Sequence, residues 1–168
     1  MSVSPDQLQS DRRQRIADWT EPSPRAAIER DGEIYELPQP VTSLTCDDSW
    51  DSERFKTLLV DGDTTVGSTR NGIDIAVTGE IGQQAGDVIL TDAELFAALS
   101  ELRDQLHVSP DGPKFRFYLH RDIESESFRF VEGCTAMKLE TDMSQRQTMT
   151  YRLVIHADDP TIYAELGE

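Results

Sequence analysis

A two-residue alternation of apolar and polar side chains recurs along the chain and constrains its fold more than any other feature. Apolar residues occupy every second position in three segments, at 73–77, 115–119 and 149–155. Successive side chains of a strand point to opposite faces, so this period predicts strands with one buried and one solvated face. Antiparallel sheets produce that pattern. The sequence therefore predicts a mainly antiparallel β protein.

One segment instead predicts a helix. Thr91 and Glu94 fit a capping box, in which each satisfies the backbone N–H of the other. The leucines that follow recur at helical spacing and form one apolar stripe: Leu95, Leu99, Leu102 and Leu106. We expect this stripe to pack against the sheet face that carries Phe115, Phe117, Tyr151 and Leu153. Strands, one helix and more strands predict an α+β domain, an antiparallel β-sandwich or small β-barrel with one flanking α-helix.

The segment between residues 31 and 80 reads as short strands joined by tight turns. Strands are predicted at 33–37, 41–46 and 55–60. Asp61-Gly62-Asp63 predicts a hairpin turn, and Asn71-Gly72 predicts a second with a stronger signal.

The domain organisation divides at residue 30. Prolines at positions 5, 22 and 24 break any long helix, so residues 1–30 are predicted to form an extended arm, and residues 31–168 one domain. The arm has five acidic and five basic residues and is neutral. Arg12, Arg13, Arg15 and Trp19 are candidate contacts with a partner, the arginines through its carboxylates and Trp19 as an anchor. A disordered tail is the alternative.

The body is strongly acidic. The chain of 168 residues has 32 Asp and Glu against 16 Lys and Arg, and the whole net charge of -16 lies on residues 31–168. A protein that coats nucleic acid needs a basic surface, so the composition argues against that class. Thirteen arginines against three lysines, with this acidity, resemble the composition of proteins from halophiles, where salt screens repulsion. An ordinary acidic protein remains the alternative.

No motif requires catalytic, cofactor or metal chemistry. Cys46 and Cys134 have no CxxC partner, so we expect two buried thiols. The histidines, His107, His120 and His156, lack the spacing of a metal motif. Neither Asp61-Gly62-Asp63 nor the acidic run after His156 matches a calcium loop. Charged residues interrupt the longest helical segment, so no membrane span is expected.

The order of elements from residue 72 onward resembles a known family. It begins with the strand at 72–81, continues with the helix at 95–106 and the strand at 115–118, and closes with residues 151–163. That last stretch contains Asp159-Pro160, followed two residues later by Tyr163. These features resemble the N-terminal domain of distal tail proteins from long-tailed viruses, a domain that shares its fold with tail tube proteins.

The resemblance implies a structural role in the virion. Six copies would form a ring at the baseplate hub that joins the tail tube to the tail tip or fibre proteins. DNA would pass through its channel without specific binding, and the protein would be made in the host cytoplasm. Acidic channel walls would repel phosphate, which agrees with the composition. The alternatives are a major tail tube protein, a small non-viral ligand-binding β-module, and a small hydrolase using His156 and Asp158.

Overall fold

The computed structural model describes residues 25–56, 58–59, 61–84, 87–88, 90–107, 112–122, 126–145 and 148–166. Within these residues the chain forms ten strands and one helix. The strands are β1 (Ala27–Arg30), β2 (Glu33–Glu36), β3 (Val41–Lys56), β4 (Asp63–Ile81), β5 (Gln83–Gln84), β6 (Asp87–Val88), β7 (Phe115–Asp122), β8 (Ser127–Asp142), β9 (Met149–Ala157) and β10 (Tyr163–Leu166). Helix α1 (Asp92–Leu106) lies between β6 and β7.

Eight of these strands form one antiparallel sheet. Its order is β2-β1-β7-β8-β9-β4-β3, with β10 paired to the N-terminal part of β8, while β5 and β6 pair separately. The expected α+β class is confirmed. The sheet is open rather than closed into a barrel, because β2 and β3 stand at its two ends. No helix within the described ranges is long and apolar enough to cross a membrane.

The alternating strands form the core, as their period predicts. β4 and β9 lie side by side in register, and each presents its apolar side chains to the same face. The inward pairs are Ile73 with Ala157, Ile75 with Ile155 and Val77 with Leu153. All of them are fully buried in one cluster. Among the described residues no charged side chain is buried, so the core is held by apolar packing.

Helix α1 covers this face of the sheet. The Thr91 side chain accepts a hydrogen bond from Glu94 N, and the Glu94 carboxylate accepts one from Thr91 N at 2.7 Å, so the capping box forms as predicted. Four buried leucines line one side of the helix: Leu95, Leu99, Leu102 and Leu106. They belong to the same cluster as Phe115, Phe117, Tyr151 and Leu153, which confirms the expected packing.

Tyr151 connects the core to the segment that precedes β3. Its ring is buried beside Gly79, on the neighbouring strand β4, and its hydroxyl donates a 2.8 Å hydrogen bond to the carbonyl of Pro38. A Cβ at Gly79 would lie only 2.5 Å from the Tyr151 hydroxyl oxygen. A glycine is therefore needed here to let the tyrosine ring cross the strand.

Asn71-Gly72 does not form the turn that its sequence predicts. Both residues lie inside β4, which runs without a break from Asp63 to Ile81. A Cβ at Gly72 would lie 2.5 Å from the carbonyl oxygen of Ala157 and 2.7 Å from the His156 ring. The glycine permits close approach between two strands, and the turn prediction was wrong. The turn at Asp61-Gly62 does occur, with Gly62 at φ +107°.

Three other expectations change in detail. The strands expected at 41–46 and 55–60 belong to one continuous strand, β3, as far as Lys56. Residues 27–30, placed in the arm from the sequence, form β1, which pairs with both β2 and β7. Cys134 is buried as expected, but Cys46 is exposed, because β3 is the end strand and most of its residues face solvent.

Candidate assembly interface

The most prominent surface feature is a two-stranded ribbon, formed by residues 49–56 of β3 and 63–70 of β4. β4 pairs with β9 only from Ile73 to Ile81, so along the ribbon its described partners all belong to β3. Every described residue of the ribbon is exposed. At about 3.3 Å per residue, the eight residues beyond Asp48 extend roughly 26 Å. The ribbon therefore projects from the body and adds nothing to the core.

Large apolar side chains lie on this ribbon in contact with water. Trp50, Phe55 and Val66 are each more than half exposed along its strands. At its tip, Leu58 and Leu59 are 91% and 103% exposed. Exposed apolar groups concentrated on one projecting element are typical of a surface that is covered in an assembly.

The base of the ribbon is held in a defined position. Trp50 pairs with Arg70 across the two strands, and the Arg70 guanidinium lies 5.9 Å from the Trp50 ring centroid. Arg70 Nε also donates to Asp48 Oδ1 at 3.1 Å. Irregular register after Asp48 and after Glu53 bends and twists the ribbon, as bulges do.

His156 connects the ribbon base to the sheet. Its ring lies against Gly72, the last residue of β4 before the β9 pairing begins. His156 Nδ1 is 2.6 Å from Asp74 Oδ1, and Nε2 is 3.7 Å from Asp158 Oδ1. The Lys114 ammonium donates to Asp158 and, by that hydrogen bond, lowers the pKa of its carboxyl group. His156 and Asp158, the pair considered for a hydrolase, therefore lie in a network of polar contacts that joins β4, the end of β9 and the segment before β7.

Several strand edges are also open, among them those of the two strands at the ends of the sheet. The described partners of β3 all lie in β4, and those of β2 all lie in β1, so each strand has one edge without a strand partner in this part of the chain. Such edges carry backbone N–H and C=O groups that can pair with a strand of another molecule. Together with the ribbon, they form a candidate assembly interface.

The face of the sheet opposite the helix carries a second, smaller cluster. Tyr118 donates a 2.6 Å hydrogen bond to Glu29 Oε2, and Arg116 lies 4.3 Å from the Phe130 ring centroid. Arg116 also binds Glu29 and Glu132. Burial, and the hydrogen bond to Glu29, raise the pKa of Tyr118. These groups satisfy one another, so the cluster serves the fold rather than a ligand.

The residues predicted from the sequence as partner contacts all come before residue 25. Arg12, Arg13, Arg15 and Trp19 lie outside the described residues, and their role stays a prediction. The sequence analysis missed the ribbon. One signal was present in the sequence: residues 47–56 and 63–70 lack the apolar alternation of the core strands. That absence is expected of a two-stranded ribbon, because both of its faces are in solvent.

The remaining side chains considered for chemistry are dispersed. No group of three or more His, Cys, Asp or Glu within the described residues could hold a metal ion. Both cysteines are free, and burial raises the pKa of Cys134 to about 12, which keeps its thiol protonated.

Comparison with known proteins identifies the fold. No protein-family model matches the sequence, and no curated protein matches it significantly. The crystal structure of the Dit protein of phage SPP1, a paradigm of the hub adsorption apparatus in phages that infect Gram-positive bacteria, matches 83% of this chain with a TM-score of 0.60 and 14% identity. The chain has the fold of the matched part of this protein. It spans about half of the Dit protein, 52% of its length.

Two further solved structures show weaker similarity. The tail of an empty gene transfer agent particle matches 86% of this chain and 96% of its own, with 9% identity and a TM-score of 0.49. The tube-terminating cap of the anti-feeding prophage matches 87% of this chain and 91% of its own, with 14% identity and a TM-score of 0.48.

Proposed function

We propose that this chain is a virion structural protein that forms a closed ring in a viral tail. The observation that carries the proposal is the projecting ribbon with its exposed apolar side chains, in a chain that has the Dit fold. A monomer would leave this surface and the open strand edges in water. A ring pairs each edge with that of a neighbour and leaves none free.

The finer role is that of a distal tail protein. In this proposal six copies form the baseplate hub ring, which joins the tail tube to the tail tip or fibre proteins. The net charge of -16 supports a channel that DNA passes without binding, because acidic walls repel phosphate. Arg12, Arg13, Arg15 and Trp19 would contact a neighbouring copy. The protein would be made in the host cytoplasm and reside in the virion tail.

A major tail tube protein is the second candidate, and the ribbon again supports it. An element that projects about 26 Å, roughly the diameter of a small domain, could reach a copy in the next ring of a stacked tube. A distal tail protein forms one ring, whereas a tube protein polymerises. Electron microscopy of the purified assembly separates the two, since it shows either single rings or long tubes.

The experiment that tests ring formation is sedimentation at two salt concentrations, ~0.1 M and ~2 M, which straddle weak and strong screening. Because the body carries the whole net charge, a ring concentrates like charges, and we expect assembly to strengthen at the higher salt. The expected particle has six times the 18.9 kDa mass of the chain. A monomer at both concentrations would overturn the ring, and dissociation at high salt would overturn both the acidic-ring and the halophile interpretations.

The arm is tested by deleting residues 1–24, a cut that leaves β1 in the sheet. We expect the truncated protein to fold, as shown by an unchanged circular dichroism spectrum, but to form rings less readily. Equal assembly of the two forms would show that the arm makes no necessary contact.

A further inference from the structure

Asn71-Gly72, the turn signal that the fold does not use as a turn, lies where the ribbon joins the body. Asn71 is the only asparagine of the chain. The register of β3 and β4 shifts at this point, so Ser49 alone stands opposite both Asn71 and Gly72, as at a bulge. Pairing of β4 with β9 begins one residue later, at Ile73. The two residues therefore lie between the ribbon and the regular sheet.

An asparagine followed by glycine can react with its own backbone. The backbone nitrogen of the glycine attacks the side-chain amide carbon of the asparagine, the new C–N bond closes a succinimide ring, and ammonia leaves with the proton of that nitrogen. Water then opens the ring at either carbonyl, which gives aspartate or isoaspartate. Glycine favours the reaction because it has no Cβ to block the approach, and asparagine is one of the thermolabile residues. The sequence of this pair is therefore prone to deamidation.

The folded chain holds the pair in a geometry that does not react. Ring closure brings the backbone nitrogen of Gly72 against Asn71 Cγ, so the backbone has to leave the extended conformation that both residues have in β4. The Asn71 amide also donates a 3.2 Å hydrogen bond to the Ser49 hydroxyl. Gly72 packs so closely against the next strand that a Cβ on it would lie 2.5 Å from the Ala157 carbonyl oxygen. Deamidation therefore requires local opening of β4.

Opening at this place does not require unfolding of the core. Every described residue of the ribbon is exposed, so its backbone hydrogen bonds break with little loss of buried surface. Ile73, by contrast, is fully buried opposite Ala157 and anchors the rest of β4. We propose that Asn71 is a site of spontaneous deamidation and that opening of the ribbon sets its rate. The inference concerns the free chain and does not depend on ring formation.

The reaction would change how the ribbon is attached to the body. Aspartate at position 71 keeps the backbone unchanged and adds one negative charge. Isoaspartate carries the main chain through its side chain and so adds one carbon to the backbone of β4. The residues on its two sides then no longer pair with β3 in one register. Since ammonia is lost, the change is one-way, and the isoaspartate form has a loosened ribbon.

Peptide mass spectrometry tests the proposal on the full chain, kept at low salt and mildly alkaline pH. The gain in mass marks deamidation, and chromatography separates the aspartate and isoaspartate peptides. We expect the folded protein to convert Asn71 slowly, at least about tenfold more slowly than the chain in urea. Asn71→Gln is the matched control, because it keeps an amide whose ring closes far more slowly, and the same peptide should gain no mass.

A cross-link separates opening of the ribbon from unfolding of the whole chain. Ser52 and Ser68 stand opposite each other on β3 and β4, at a spacing that a disulfide can span. In a Cys46→Ser background, Ser52→Cys with Ser68→Cys should form this disulfide on oxidation and hold the ribbon closed. We expect the oxidised form to convert Asn71 at least about tenfold more slowly than the reduced form of the same variant, because the cross-link disfavours the open state.

Three results would overturn the proposal. Conversion as fast in the folded chain as in urea would show that β4 does not restrain the pair. Equal rates in the oxidised and reduced forms would show that opening of the ribbon does not limit the reaction. No conversion in the folded chain, over many times the period in which the chain in urea converts fully, would show that the opening does not reach Asn71.

Deuterium exchange tests the consequence for the ribbon. The isoaspartate form, separated after partial conversion, should exchange the amide hydrogens of the ribbon faster than the Asn71→Gln variant treated in the same way. Equal exchange in the two would show that the modification does not loosen the ribbon.

Discussion

The contact between Gly79 and Tyr151 allows a quantitative prediction for the core. A methyl group at position 79 would lie 2.5–2.7 Å from the hydroxyl oxygen and two ring carbons of Tyr151. The tyrosine cannot move away, because its ring is 1% exposed and its hydroxyl binds Pro38. We therefore expect Gly79→Ala to cost about 2–4 kcal/mol of unfolding free energy, from overpacking of ~1–3 kcal/mol and one lost hydrogen bond of ~1 kcal/mol.

The measurement is urea unfolding followed by circular dichroism. Thermal unfolding should agree, with a fall in Tm of roughly 5–15 °C for a domain of this size. Gly67→Ala is the matched control, since it lies in the same strand and a Cβ there would meet no atom within 4 Å. Because alanine lowers the backbone entropy of the unfolded chain, the control variant should be as stable as the unmodified protein or more stable by up to about 1 kcal/mol.

A double mutant checks the cause. Tyr151→Leu removes the ring atoms that the new methyl group would meet, at a cost of its own. In that background Gly79→Ala should cost at least about 1 kcal/mol less than in the unmodified chain, which is the coupling expected of residues in contact. Equal stability of Gly79→Ala and Gly67→Ala would refute the reasoning, because it would show that Tyr151 can yield without loss.

Two further predictions concern the helix and the thiols. Leu102→Ala should lower the unfolding free energy by about 2–5 kcal/mol, since Leu102 is fully buried. Phe96→Ala should change it by less than about 1 kcal/mol, because Phe96 is exposed on the same helix. Equal losses for the two variants in urea titrations would contradict the packing of Leu102 against the sheet. Iodoacetamide at pH 8 should alkylate Cys46 and leave Cys134 unmodified in the native protein, because Cys46 is exposed, whereas Cys134 is buried and its pKa is raised to about 12. Partial burial, with Asp48 and Asp47 nearby, also raises the pKa of Cys46, so its alkylation should be slow. Mass spectrometry of the peptides reads the result, and modification of Cys134 in the native protein would contradict the prediction.

The parts of the fold that the sequence predicts correctly rest on local patterns. In α1, the cap at Thr91 and Glu94 and the leucine stripe specify the same element, so no distant residue is needed to locate it. In β4 and β9, the alternation alone determines which side chains are buried.

The rest depends on contacts between residues far apart in sequence. Asn71-Gly72 has the composition of a turn, but its glycine is required by His156, more than eighty positions away. The ribbon exists because β3 and β4 continue to pair beyond the point where the pairing of β4 with the distant strand β9 ends. Of the candidate interface, Leu58 and Leu59 are visible in the sequence beside a turn signal.

The ribbon and the body of the chain should also differ in how readily they unfold locally. Its backbone hydrogen bonds are exposed and rest on no buried side chains, so they can break locally while the body stays folded. In the free chain, amide hydrogens of the ribbon should exchange with deuterium far sooner than those of β9, which is flanked by strands on both sides. Association that covers the ribbon would slow that exchange. The free chain therefore combines a stable body with a ribbon that opens more readily, and we expect assembly that covers the ribbon to stabilise it.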